Sequence, residues 1–188
     1  MTRIIAGSAG GRRLVVPPRG TRPTSDRVRE AIFSSLGAEE PWDGLRVLDL
    51  FAGSGALGLE AVSRGCDAAV LVDCDPRAAR VCARNASSLG VAAAVAVRAV
   101  TAQRWLHSVD EAACFDLVFV DPPYELAEDV VDDILQGLTR PGLLRDRARI
   151  VVERSRRCAP PRWPIGCSDS GSRRFGDTVV YRAIWYGP

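Results

Sequence analysis

The stretch Asp49-Leu50-Phe51-Ala52-Gly53-Ser54-Gly55-Ala56-Leu57-Gly58 satisfies the spacing G-x-G-x-x-G at Gly53, Gly55 and Gly58. It follows an apolar run, 46–50, and precedes a helical pattern over about 55–64. A glycine loop between a strand and a helix sets backbone N–H groups at the carboxyl end of a sheet, where open α/β folds bind ligands. Outward from the loop the same rhythm repeats. Short runs rich in Val, Leu and Ile predict strands at 69–73, 94–98, 116–120 and 148–153, with helices at about 76–88, 101–108 and 126–137. Strands this apolar, joined by helices, require burial on both faces, which predicts an α/β fold with a parallel, Rossmann-like sheet.

The N-terminal part reads differently. Runs 3–7 and 12–16, separated by Ser8-Ala9-Gly10-Gly11, predict a β-hairpin. Pro17, Pro18, Gly20 and Pro23 form a rigid connector, after which Thr24 or Ser25 can cap a helix carrying Val28, Ala31, Ile32 and Leu36. This divides the chain into 1–37, a hairpin and helix, and 38–188, the core. Near the other end, the Arg-rich and Pro-interrupted stretch 154–167 predicts a loop, and 178–185 a last strand.

Composition excludes several classes. The 188 residues, 47% hydrophobic and 26% charged, are ordinary for one globular domain. The longest apolar run, Val91 to Val97, is far short of the roughly 18 residues that span a bilayer. A cytoplasmic protein is expected, with monomer as the default state. Six scattered cysteines without C-x-x-C, and one histidine, His107, form neither a zinc pattern nor a disulfide framework. Reduced, mostly buried thiols and no metal are expected. The net charge of +2 hides an asymmetry. Residues 1–30 hold seven Arg against two acids, and 145–174 hold nine against three, while 31–144 hold eight against seventeen. Arg presents a planar fork for phosphates, so both basic ends suit a polyanionic partner.

In the glycine loop, Asp49 stands four residues before Gly53, and a second acid, Asp73, ends the next strand twenty residues after Gly53. Asp73 can accept hydrogen bonds from ribose hydroxyls, which suits NAD and S-adenosylmethionine equally. Asp49 separates them. It would repel a pyrophosphate by on the order of a kcal/mol in a partly buried site, whereas it favours the sulfonium and ammonium of S-adenosylmethionine. Further on, Leu117-Val118-Phe119-Val120 runs into Asp121-Pro122-Pro123-Tyr124. The Asp121 carboxylate and the stiffly held Pro122 carbonyl offer two acceptors for an exocyclic amine. Tyr124 offers a face for a flipped-out base, and stacking of that kind contributes about 1–3 kcal/mol. Such a site transfers a methyl group by positioning, without a metal or covalent nucleophile. His107, Trp163 and Trp185 are read as structural or solvent-facing.

DLFAGSG with VFVDPPY resembles the class I S-adenosylmethionine-dependent amino-methyltransferases. The block Arg22-Pro23-Thr24-Ser25-Asp26-Arg27-Val28-Arg29-Glu30-Ala31-Ile32-Phe33, the hairpin before it, and Arg174-Phe175-Gly176-Asp177-Thr178 resemble the RsmD family over nearly the whole chain. The resemblance implies methylation of guanine N2 in 16S ribosomal RNA, at position 966 in the conventional bacterial numbering, within a small-subunit assembly particle. It implies that Asp49, Phe51, Ala52, Gly53 and Gly55 line the methionine end of the cofactor and that Asp73 binds its ribose. Thr24 and Arg27 would cover it, and Asp121, Pro122, Pro123 and Tyr124 would hold the target base. This chain departs from many relatives after strand three, where Val100 backbone or the Thr101 hydroxyl must serve the adenine. Arg3, Arg12, Arg13, Arg156 and Arg157 are the candidate RNA contacts. The rival readings are a DNA adenine or protein glutamine methyltransferase, and a nucleotide-binding dehydrogenase or regulatory module.

Overall fold

The computed structural model describes residues 2–17, 25–37, 41–109 and 114–187. The elements are α1 (Asp26–Gly37), β1 (Arg46–Asp49), α2 (Ala56–Ser63), β2 (Ala68–Asp73), α3 (Pro76–Leu89), β3 (Val95–Ala99), α4 (Ala102–Ser108), β4 (Phe115–Val120), α5 (Glu128–Leu138), β5 (Leu144–Ser155), β6 (Cys167–Phe175) and β7 (Thr178–Trp185). The seven strands form one sheet in the order β3-β2-β1-β4-β5-β7-β6. The first five are parallel, and β7 runs antiparallel between β5 and β6. Among the described residues no helix is long and apolar enough to cross a membrane, and no cluster of His, Cys, Asp or Glu could hold a metal.

Alternation along the strands sends neighbouring residues to opposite faces. One apolar cluster gathers Val47, Leu71, Phe119 and Val151 with Phe33 of α1, Leu57 and Leu59 of α2 and Cys82 of α3. The other gathers Leu48, Val72, Val120 and Val152 with Trp105 and Leu106 of α4 and Ile134 of α5. Burial on both faces explains why these strands lack polar alternation.

The N-terminal segment belongs to the first cluster through Ile4 and Leu14. Its two runs meet in a single antiparallel bridge, Arg3 to Arg13, rather than a full hairpin ladder. What holds the segment is α2. Glu60, fully buried, accepts from Ile5 N–H (2.7 Å), Ala6 N–H (3.0 Å) and Arg64 Nε (2.8 Å). Ser63 Oγ accepts from Ala9 N–H and donates to Ala6 O. Side chains of α2 thus satisfy backbone groups that a longer ladder would pair.

Two differences from expectation concern the Arg-rich stretch. β5 continues through Ser155, and residues from Cys167 form the strand β6, so only 156–166 is a connection. β6 reads CSDSGSRRF, rich in Ser, Gly, Asp and Arg, and therefore carries little β signal. It forms because it lies at the sheet edge, with most residues exposed and every pairing made to β7. The thiols are all free, but only Cys66 and Cys82 are buried, Cys74 is exposed and the rest are intermediate.

Candidate functional site at the carboxyl edge of the sheet

From β1 the chain moves outward to β2 and β3, then returns to place β4 on the other side of β1. The switch point therefore lies between β1 and β4, the place where open α/β sheets hold their ligands. Leu50 N–H donates to Phe119 O (3.1 Å) and Ala52 N–H to Val72 O (2.9 Å), so the glycine loop is tied to the strand on each side. Gly55, at φ 79°, takes a left-handed conformation at the start of α2. Gly58 lets α2 approach the sheet: a Cβ there would stand 2.2 Å from Leu71 Cδ2. The third glycine is thus a packing residue.

Asp49, the last residue of β1, is 1% exposed. Its Oδ2 accepts from Gly58 N–H (3.1 Å), while Oδ1 has no partner in good hydrogen-bond geometry. Burial pushes its pKa up to about 7; the Gly58 N–H and, more weakly, the Phe51 N–H pull it down, and the charges of Asp121 and Asp73 push it further up. A buried acceptor left without a donor is unfavourable by about 1–3 kcal/mol. A ligand ammonium group would relieve this, whereas a phosphate has only acceptors to offer. The orphaned oxygen therefore fits the cation of S-adenosylmethionine and disfavours a dinucleotide.

Asp73, at the end of β2, accepts from Gly53 N–H through Oδ2 (2.8 Å) and from Asp75 N–H through Oδ1 (2.8 Å). It braces the loop, and each oxygen keeps a second lone pair that a ribose hydroxyl can reach. Beneath the loop, Asn85 donates to Ser54 O (2.8 Å) and Val15 O (2.9 Å) and accepts from Val15 N–H (3.0 Å). One buried amide thus links α3, the glycine loop and the N-terminal segment. Cys82 Sγ bonds Gly53 O (3.3 Å), and burial, with Asp49 and Asp73 nearby, holds that thiol well above its ordinary range.

Of the other expected cofactor contacts, Ala52 is buried and Phe51 partly buried against the α4–α5 side. The Val100 N–H is engaged by Asp73 O (3.0 Å), and the Thr101 hydroxyl caps α4 by accepting from Arg104 N–H (3.3 Å). Arg27 is exposed on α1. Thr24 lies outside the described residues; Ser25 performs the capping, its Oγ accepting from Val28 N–H (3.3 Å).

Across the switch point, β4 delivers Asp121-Pro122-Pro123-Tyr124. Pro122 is buried and Pro123 exposed, and Leu126 N–H donates to Pro123 O (3.0 Å), closing the turn. Tyr124 is 39% exposed, with its hydroxyl 2.9 Å from Thr178 Oγ1. The motif read from sequence and the last strand are thereby joined. A residue not anticipated from the sequence is Glu153. It follows Val152, the partner of Val120, so it lies beside Asp121 on the next strand, 6% exposed and opposite Val180. An acid at the end of an apolar strand was the available signal.

The candidate RNA arginines divide. Arg12 donates to Ser88 O and Leu89 O (3.2 Å), capping the C-terminal end of α3. Arg3 pairs with Asp26 (3.6 Å) and Arg156 Nε with Asp177 Oδ1 (2.7 Å). Arg13 and Arg157 are exposed. His107 is also exposed, with Nδ1 2.6 Å from Gln103 O. Trp185 is buried and Trp163 packs against the α4–α5 cluster.

Comparison with known proteins gives the same outline. The family model described as Conserved hypothetical protein 95 matches residues 2–184. The Ribosomal RNA small subunit methyltransferase D of Escherichia coli strain K12 is 37% identical over 181 residues, covering 96% of this chain and 87% of the relative. A solved Escherichia coli structure, "Putative methyltransferase yhhF", superposes with TM-score 0.85 at 33% identity, covering 99% of this chain and 98% of that one. An RNA methyltransferase from Salinibacter ruber, solved in complex with S-adenosyl-L-homocysteine, shares the fold at TM-score 0.65 and 19% identity, covering 89% and 95%.

Proposed function

Because the chain belongs to the RsmD family, we propose that it transfers a methyl group to the exocyclic N2 amine of a guanine in small-subunit ribosomal RNA. It is an S-adenosylmethionine-dependent rRNA methyltransferase. One observation supports methyl transfer to an amine held at the D-P-P-Y turn. Asp49, with a buried oxygen lacking a donor, faces the D-P-P-Y turn across the switch point, near enough for Asp121 to raise its pKa.

S-adenosylmethionine, when bound, supplies an electrophilic methyl on a sulfonium. Asp49 receives the cationic end of that molecule, Asp73 the ribose hydroxyls, and Gly53 and Gly55 let the backbone approach closely. Asp121 and the Pro122 carbonyl accept the two amine hydrogens, which biases the nitrogen lone pair out of conjugation with the ring. Asp121, or solvent beyond it, takes the proton released after transfer. Tyr124 stacks on the base. Alignment and charge placement carry the rate, as expected where no covalent intermediate is needed. The 1–37 segment covers the cofactor side, and Arg13 and Arg157, with Arg3, Arg12 and Arg156 beside them, meet the RNA backbone. The acceptor is guanine 966 in the conventional bacterial numbering, presented in an assembly particle to a monomeric enzyme.

The test is methylation of small-subunit particles and naked RNA with labelled cofactor, followed by nucleoside analysis. N2-methylguanosine in RNA from the particles is the expected product. Label in N6-methyladenosine, or none in RNA, overturns the assignment.

A further inference from the structure

The closing motif Arg174-Phe175-Gly176-Asp177-Thr178 belongs to neither the cofactor loop nor the acceptor turn, yet it reaches the site. β7 begins at Thr178, directly opposite Ser155 of β5 and Phe175 of β6. Because β7 is antiparallel, its first residue lies at the carboxyl edge of the parallel strands, where β4 delivers its turn. Thr178 Oγ1 is 2.9 Å from the Tyr124 hydroxyl.

The turn carrying Thr178 is itself anchored. Arg156, just past the end of β5, donates from its backbone N–H to Asp177 O (2.8 Å) and from Nε to Asp177 Oδ1 (2.7 Å). Arg174 Nε donates to Gly176 O (3.0 Å). Two of these three contacts end on the backbone of the turn, so they fix where Thr178 sits and not merely which charges meet. An exposed ion pair alone would contribute about 0–1 kcal/mol.

We propose that Thr178 is a positioning residue for the acceptor base, acting through Tyr124. A tyrosine that is 39% exposed and held only at Cβ samples several ring orientations. A hydrogen bond at the far end of the phenol selects one of them. The ring then forms a wall of fixed tilt, and its face stays open to a planar base while its hydroxyl is engaged. Tyr124 consequently contributes a stacking surface and not a proton donor. The position of the turn between β6 and β7 sets the tilt of the wall. This inference rests on the reading of the D-P-P-Y turn as the base site.

The experiment compares wild type, Thr178→Val, Thr178→Ser, Tyr124→Phe and the double variant Tyr124→Phe/Thr178→Val, with small-subunit particles as substrate and cofactor affinity measured by titration with S-adenosylhomocysteine. Losing one hydrogen bond predicts a fall of about fivefold in kcat/KM for RNA in Thr178→Val. Cofactor affinity stays within about twofold, a change of under about 0.5 kcal/mol, and Thr178→Ser recovers wild-type activity. Tyr124→Phe falls by the same factor, and the double variant falls no further than either single one. Additive losses, or full activity in Tyr124→Phe, overturn the inference while leaving the acceptor assignment intact. A wild-type enzyme that methylates no guanine overturns both. Should Thr178→Val fail to fold, Tyr124→Phe removes the same bond from an exposed side chain and decides the matter alone.

Discussion

The two halves of the site are built on different principles. The half around β1 and β2 is held by side chains bonded to backbone: Asp49 to Gly58, Asn85 to Ser54 and Val15 and Glu60 to Ile5 and Ala6 are buried, and Asp73, partly exposed, bonds Gly53 and Asp75. The half around β4, β5 and β7 combines one buried tie, Arg154 donating to Leu126 O (3.2 Å), with exposed contacts, Tyr124 on Thr178 and Arg156 on Asp177. The first arrangement fixes geometry within a short, nearly dry region. In the second, water competes for each exposed contact. On the proposed reading, the first half takes one small molecule and tolerates rigidity, whereas the second admits a base and does not.

The sharpest way to break this contrast is to show that the halves are not separable. Asp121→Ala is expected to lower methyl transfer by about a thousandfold, the scale of removing one preorganised polar group, yet to leave cofactor affinity within a few-fold. Single-turnover assays and titration calorimetry read the two quantities separately. Equal loss of both would make Asp121 part of the cofactor half.

Glu60→Ala tests whether the first half depends on the N-terminal segment. It strands two backbone donors and Arg64 in a buried place, and a loss of about 3 kcal/mol in unfolding free energy is expected by chemical denaturation. A change below about 0.5 kcal/mol, the level of an ordinary surface substitution, would mean that the segment is held by apolar contact alone.

Asp49→Asn is the smallest and most diagnostic change. The Asp49 pKa is raised from 3.8 to about 7 in the folded protein. A raised carboxyl binds its proton more tightly folded than unfolded, so its contribution to stability is present below 3.8 and lost as pH rises through about 7. The ligand-free Asn variant should therefore gain on wild type as pH rises over that window, then hold a constant advantage. Cofactor affinity runs the other way. It should strengthen in wild type as Asp49 ionises through about 7, and be weaker by about tenfold and flat in the variant, a difference of about 1.4 kcal/mol. A variant with unchanged affinity and pH response would remove Asp49 from the cation site.

The same contrast explains what could be read from the chain. The first half is local. The glycine loop, Asp49 and Asp73 fall within about two dozen residues, and burial on both sheet faces writes itself as apolar runs. The strands from β1 to β4, and β7, accordingly lie within a residue or two of their expected places. The second half is assembled from positions far apart in sequence. Tyr124 and Thr178 are 54 residues apart, and the sequence marked Thr178 only as the start of a strand and part of a resemblance, without a role. β6 was illegible because an edge strand paired on one side needs no apolar pattern, and Ser, Gly and Arg are neutral witnesses. The arginines were only partly legible for a related reason. Composition locates positive charge, but only packing reveals that Arg12 closes the end of α3 and that Arg156 holds the turn before β7.

The insertion of β7 between β5 and β6 has a consequence for the order of assembly. β6 leaves the ribosome before β7, yet all of its pairing is with β7. Until residues 178–185 emerge, β5 has a bare edge and β6 has nowhere to dock. The nascent chain can complete its five parallel strands while Tyr124 still lacks its anchor on β7. Closure of the sheet and anchoring of Tyr124 are then a single late event, so a chain stalled before the last strand would carry the acceptor turn without the contact that orients its tyrosine.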